Sequence, residues 1–336
     1  MLEKRLKKLY AIDPRSWEHP ADKAALGAVR QLKGLDELAK RLISATTERG
    51  LRLEVLASNV KVTPAQYPRL NAIMDKVVDT FDWDYRPELF VCQNPVFNAG
   101  ALGVEKPFIT LNSALLRSFD EKELTAIIAH EMGHIMSGHS LYKTLIWFIS
   151  NLSLSFIPMG ELVKSAVWAA LMEWNRKSEL SSDRAELLAV QEETPSYNIL
   201  MKMAGADDLS QVNLNAFFEQ AQEYESQKTV LDSVHKFFGQ MKLSHPYPVV
   251  RLGELKTWAS SGAYQAILDG DYIKRGFGPA ERPTEGTGDL KQGFQYYREE
   301  IRKSDDPIVK VINVLGEGIE KAAGSLEDKI REIFKT

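Results

Sequence analysis

The stretch DEKELTAIIAHEMGHIM, from Asp120 to Met136, decides how this chain is read. Asp120 is a good N-cap, and Glu123 three residues on completes a capping box. Leu124, Ile127, Ile128, Met132 and Ile135 follow at helical spacing, which predicts a half-buried helix over about 121–138. His130 and His134 lie on one face of that helix, a turn apart, and Glu131 projects to the side. In an H-E-x-x-H arrangement two imidazoles can share one zinc while the glutamate works on a water beside it. With six histidines in 336 residues, chance gives the pattern on the order of once in a hundred such chains. The capped, amphipathic flanks argue against the bland alternative of two solvated surface histidines.

The rest of the composition narrows the class. Apolar residues make up 44% and charged residues 26%, an ordinary globular balance with ample core for one large domain or two smaller ones. A net charge of −4 gives no footprint for nucleic acid and no polybasic membrane patch. Cys92 is the lone cysteine, so no disulfide framework exists, and a reducing, cytoplasmic setting is expected. The basic N-terminus has no apolar stretch after its charges and does not read as a secretory signal.

Residues 1–50 read as helical, beginning with a short amphipathic helix. Gly50 to Leu56 alternates and reads as a strand. Thr63 reads as the cap of a helix over about 64–80. Glu88–Cys92 and Phe108–Leu111 are strand candidates, punctuated by Pro87, Asn94-Pro95, Gly100, Gly103 and Pro107. The longest charge-free run, Thr144 to Gly160, reaches the lower limit for a membrane span, but Ser150, Asn151, Ser153, Ser155 and Pro158 weaken that reading. A buried helix, or a hairpin with 165–172, is expected instead. A peripheral membrane contact through 144–172 stays open.

A long helix is predicted over 161–192, then helices through about 267, with 213–225 and 229–241 the clearest. Residues 275–289 read as a linker, and the tail from Asp306 as an amphipathic helix. The fold class is therefore α+β and predominantly α-helical.

A catalytic zinc keeps three protein ligands and one open position. A third histidine in the metzincin register would need Gly at 137 and His at 140, where Ser137 and Ser140 stand. His139 reads as a solvated residue suited to the helix C-terminus. Glu179 and Asp183, four apart on one helical face, are the better carboxylate candidates. On local grounds alone a solvated acidic pair explains them as well.

H-E-x-x-H followed by E-x-x-x-D resembles the HtpX-like and CAAX prenyl protease family of gluzincin metallopeptidases. Further segments match in order: Asn98-Ala99 with Phe108 to Leu116, Phe119 to Leu124, Ala129 to His134, and Ser244-His245-Pro246 with Arg251. The likeness covers roughly residues 60–260. It implies a gluzincin-type domain with a small sheet edge and an active-site helix. It further implies one Zn2+ held by His130, His134 and Glu179, with Glu131 as general base. Asp183 and Arg251 would stand behind the ligands, Asp183 orienting a zinc histidine. Where membrane members of the family carry clear spanning helices, this chain has only the 144–172 run, which implies a soluble or peripheral relative. The domain division read from this is a helical extension over 1–50, a metallopeptidase domain over 51–267, and a linker with helical tail over 275–336.

The expected activity is hydrolysis of peptide bonds in protein substrates, unfolded or damaged ones among them. Glu131 takes a proton from water and passes it to the leaving amine. His245 is the candidate donor to the oxyanion, with a latch on the open zinc position, or a turn residue before Pro246, as alternatives. Substrate is expected to lie extended along an edge strand, for which Phe108–Leu111 is the candidate. Two rival classes are a metal-binding scaffold that holds chains without cutting them and a peripheral membrane adaptor. The intact Glu131 favours the enzyme, since a scaffold has no need of that carboxylate. The oligomeric state is not legible.

Overall fold

The computed structural model describes residues 6–30, 48–151, 161–227 and 246–276. The expected helices over 229–241 and after 306, the linker from 277, and His245 lie outside them.

Four strands form one small mixed sheet. They are β1 (Val60–Lys61), β2 (Leu89–Cys92), β3 (Ala99–Leu102) and β4 (Phe108–Asn112), in the order β1-β2-β4-β3. β2 runs parallel to β4, while β1 on β2 and β3 on β4 are antiparallel. The strand expected at the edge, Phe108–Leu111, is thus interior, with both its sides paired. The edges belong to β1 and β3, and the sequence of β3, AGAL, carries two alanines and a glycine and no β-branched residue, and so signals no strand by propensity.

The helices are α1 (Pro20–Arg30), α2 (Glu48–Ser58), α3 (Pro68–Thr80), α4 (Ser113–Ser118), α5 (Glu121–Met136), α6 (Ser140–Asn151), α7 (Glu161–Val190), α8 (Glu193–Ala204), α9 (Leu214–Ser226), α10 (Pro248–Ser260) and α11 (Ala263–Leu268). The architecture is α+β and mainly helical, as the sequence led us to expect.

The alternating stretch after Gly50 is helix α2 rather than a strand. Leu51 and Val55 are also four apart, and these two face inward onto Phe90 and Phe108, while Leu53 is 51% exposed. The pattern fits both periods, and packing chose the helical one. Thr63 caps no helix. Its hydroxyl accepts from the amides of Ala65 and Gln66 in a tight turn. α3 waits until Pro68, because a residue before proline is kept out of helical geometry. Tyr67 sits there left-handed, at φ 56°.

The N-terminal residues are less helical than expected. Residues 6–13 hold no helix, Pro14–Ser16 is a single 3-10 turn, and α1 starts only at Pro20. Pro14 and Pro20 each restrict the residue before them. Leu9, Ile12 and Trp17 bury fully in the central core, beside Met74, Phe81 and Leu188. This segment is clasped from the far end of the described chain. The Asp13 amide donates to the Ile273 carbonyl at 2.9 Å, Ile12 bridges Lys274, and Arg275 donates to the Ala11 carbonyl at 2.6 Å.

α5 lies at the centre. Its capping box forms as expected, with the Glu123 amide bonded to Asp120 and the Asp120 amide to Glu123. The helix is not half-buried, however: every residue from Glu123 to Met136 is buried. α3, β3, β4, α8 and above all α7 surround it. Edge strand β3 runs beside both α5 and α6. No helix among the described residues is long and apolar enough to cross a membrane.

Candidate functional site

His130 and His134 leave α5 on the face that meets α7. Glu179 comes from the facing turn of α7. Its carboxylate spans the pair, with Oε2 3.3 Å from His130 Nε2 and Oε1 3.2 Å from His134 Nε2. One donor atom from each of the three residues lies within 4.8 Å of the others, and all three side chains are buried. Two imidazoles and a carboxylate are the donor set of one class of catalytic zinc site.

The two helices approach this closely because of Gly133. A Cβ there would stand 2.8 Å from the Cβ of Ala185 and 3.3 Å from the Cα of Ser182 on α7. The glycine inside the motif therefore sets the distance between the helices that carry His130, His134 and Glu179.

A test of fit to a cation comes from Lys143 on α6. Its ammonium donates at 2.8 Å to Glu179 Oε1 and lies 2.9 Å from His134 Nε2. A positive charge thus already sits between two of the donor atoms a metal would use. Glu131 is buried beside them, and its Oε2 is a buried oxygen with no hydrogen-bond partner. A buried carboxylate oxygen left so is costly unless something else binds there. Both observations fit a bound metal ion.

The cluster opens into a cavity lined by His130, Glu131 and Glu179 on one side and by Phe97, Leu115, Phe119, Ile127, Ile199 and Met203 on the other. The wall is apolar, and the polar groups converge at one end, as in small-molecule and peptide sites.

Behind the donors stands a charged layer. Asp183 Oδ1 is 3.1 Å from His130 Nδ1, an ion-pair distance, although the contact is not aligned as a hydrogen bond. Glu186 lies 3.5 Å from the same nitrogen. Arg251, on α10, grips Asp183 through both its Nε and Nη2, with Nε at 2.9 Å.

These neighbours set the charge states. Burial opposes the imidazolium of His130, but Asp183, Glu179 and Glu186 outweigh it and hold His130 well above the usual histidine range. His134 is driven well below that range by burial and by the Lys143 ammonium. Burial would raise Asp183, yet Arg251 holds it below the ordinary carboxylate range.

His139 is the one motif neighbour that sequence reasoning misplaced. It is 1% exposed, not solvated, closed over by Trp174 of α7 and joined to His134. Helices α1 and α7 cover the end of α5 that was expected to face water. Of the residues singled out from sequence, the fold brings His130, Glu131, His134, Glu179, Asp183 and Arg251 together.

Lys143 and Asp22 also reach this cluster and were missed. For Lys143 a signal existed: it is the charge immediately before the long charge-free run. For Asp22, on α1, none did.

A model of peptidase family M48 matches residues 64–259. Among curated proteins, the chain is 31% identical over 262 residues to plastoglobule-localized metallopeptidase 48, chloroplastic, of Arabidopsis thaliana, covering 76% of each. It is 25% identical over 190 residues to protease HtpX homolog 2 of Methanosarcina mazei, covering 47% of this chain and 64% of the relative. It is 34% identical over 83 residues to protease HtpX of Idiomarina loihiensis, covering 24% of this chain and 28% of the relative. The chain thus spans less than two thirds of these HtpX relatives. No solved structure matches.

Proposed function

The chain belongs to peptidase family M48 and is a metallopeptidase, and on that premise we propose that it is a zinc-dependent endopeptidase with Glu131 as its general base. His130, His134 and Glu179 would hold the metal, one per chain. The observation that carries this reading is Glu131 Oε2, buried and unbonded beside a three-donor cluster that opens into an apolar cavity. Zinc supplies Lewis acidity that polarises a carbonyl and makes water a better nucleophile near neutral pH.

The chain's own residues supply the rest. Glu131 Oε2 accepts the proton of the attacking water and returns it to the departing amine nitrogen. Asp183, anchored by Arg251, holds the His130 ring in place from its Nδ1 side. The apolar wall excludes water and takes an apolar side chain next to the scissile bond. Main-chain bonds to edge strand β3 hold the peptide extended. His245 donates to the developing oxyanion.

The peptidase domain spans 51–267, with residues 6–30 packed onto it. The working setting is the cytoplasm, with any membrane contact peripheral and made through 144–172. Flotation of the full chain with liposomes checks that contact.

The decisive experiment pairs metal content with casein cleavage, in wild type and in Glu131→Gln. The reading expects about one zinc per chain in both proteins and cleavage by the wild type alone. Equal cleavage by both proteins refutes the base. Equal zinc with no cleavage by either favours a scaffold that holds chains without cutting them.

A further inference from the structure

A chain of buried polar contacts runs from the metal cluster to the N-terminal helix. His134 Nδ1 lies 3.0 Å from His139 Nδ1. His139 Nε2 lies 3.1 Å from Asp22 Oδ2. The Ser181 hydroxyl donates to the same Asp22 oxygen at 2.6 Å and accepts from the His19 amide at 2.9 Å. Asp22, His134, His139 and Ser181 are all buried, so these links are shielded from bulk water.

Two neighbouring imidazoles joined through their Nδ1 atoms need one donor and one acceptor. A carboxylate at the far end decides which is which. Ionised Asp22 can only accept, so a neutral His139 carries its proton on Nε2 and leaves Nδ1 as an acceptor. His134 must then carry its proton on Nδ1. That leaves the Nε2 lone pair of His134 directed toward Glu179, the side where a metal would sit. The opposite tautomer would place a proton on Nε2 and block a metal.

We infer that Asp22 is a positioning residue for the metal centre, acting through His139 to fix the tautomer and ring orientation of His134. Each histidine of the motif then has its own carboxylate: Asp183 directly behind His130, and Asp22 one imidazole removed from His134. The N-terminal helix, outside the residues 64–259 that match the family, becomes part of the working site. The inference rests on the metal-binding reading of the site given above.

The test is zinc affinity of the full chain, by competition with a chromogenic chelator, for Asp22→Ala in two backgrounds. In the otherwise wild-type protein the substitution should weaken zinc binding about 10–100-fold, the scale of losing a group behind a metal ligand. In a His139→Asn background the asparagine oxygen stands where Nδ1 stood and accepts from His134 without reference to Asp22. There the Asp22→Ala effect should fall to about twofold or less, because the two positions act in series.

An Asp22→Ala protein with wild-type affinity overturns the inference, and so does an equal loss in both backgrounds, which would mark damage to the fold. If Asp22→Ala does not fold, Asp22→Asn replaces it. That variant keeps the shape and one acceptor but not the charge, and should lose affinity several-fold in the wild-type background only. Wild-type protein that binds no zinc overturns the metal reading itself, a result distinct from wild-type binding that is indifferent to Asp22.

Discussion

Replacing Gly133 by alanine sets two opposed effects against each other. Alanine in a helix interior is worth roughly 1 kcal/mol more than glycine, so propensity alone predicts a more stable protein. The added Cβ would, however, stand 2.8 Å from the Ala185 Cβ and 3.3 Å from the Ser182 Cα. Ordinary carbon contacts lie at roughly 3.5–4.0 Å, so the helices must part by up to about 1 Å. Neither neighbour can swing aside, since one is a methyl fixed to the backbone and the other is backbone itself. Forcing an extra methyl into packing of this kind costs roughly 1–3 kcal/mol after partial relaxation, and the rigid neighbours put this site in the upper half of that range. The net expectation is a loss of about 1–2 kcal/mol, or roughly 2–8 °C in Tm for a domain of this size.

Separation also moves His130 and His134 on α5 away from Glu179 on α7. A zinc site tolerates roughly 0.2 Å in its ligand distances, so metal affinity should fall together with stability. Urea unfolding of the metal-free protein and a zinc titration of the same samples measure both. Gly133→Ala/Ala185→Gly relieves the contact and should restore zinc binding. A single mutant with wild-type zinc affinity and raised stability would refute the claim that this glycine sets the helix spacing.

Other expectations follow from the same geometry. Glu131→Gln should retain its metal while peptidase activity falls by roughly 10²–10⁴-fold or more, read from initial rates on casein. Glu179→Ala should lose metal and activity together, and tight zinc in that variant would move the third ligand to another carboxylate. Asp183→Asn should weaken zinc roughly 10–100-fold and also destabilise the protein in chemical unfolding. The cost lies at or below the lower end of the roughly 3–5 kcal/mol for a broken buried pair, because Arg251 keeps Glu179 at 3.9 Å as a second partner. His245→Ala should lower kcat by around 10²–10³-fold with little change in KM, whereas a rise in basal rate would mark a latch.

Glu88, bonded first to Arg52 and then to Lys61, has its pKa lowered from 4.5 to about 2. A depressed carboxylate contributes stability above pH 4.5 that disappears as pH falls toward 2. Glu88→Gln should therefore flatten the acid limb of a stability curve over that window. The effect is at most about 1 kcal/mol, because the group is solvent-screened.

What sequence made legible was local. The capping box at Asp120 and the spacing of His130 to His134 depend on neighbours within one or two turns, and both formed as read. Glu179 and Asp183 follow the same helical arithmetic on α7. What stayed hidden depends on partners far along the chain. Leu51 and Val55 satisfy two periodicities, and the faces of Phe90 and Phe108 selected one of them. β3 is a strand because β4 pairs with it, not because AGAL favours one. His139 could not be recognised as buried without knowing that Trp174 and α1 close over it. The ammonium of Lys143 finds Glu179 only once α6 has folded back across α7.

The clasp between residues 11–13 and 273–275 has a consequence for how the protein is made. On the ribosome, Lys274 emerges roughly 260 residues after Ile12, which at about 5–20 residues per second is a delay of roughly 10–50 s. Through that interval Leu9, Ile12 and Trp17 have no finished core to enter, and the backbone groups of residues 11–13 lack their partners at 273–275. Asp183 cannot be gripped by Arg251 until α10 is out, so a shorter nascent chain lacks that ion pair behind His130. The contacts behind the donor cluster are thereby left unmade until α10 has been synthesised. The high sequence separation of these contacts, which slows folding, also makes the donor cluster one of the last parts of the fold to be braced.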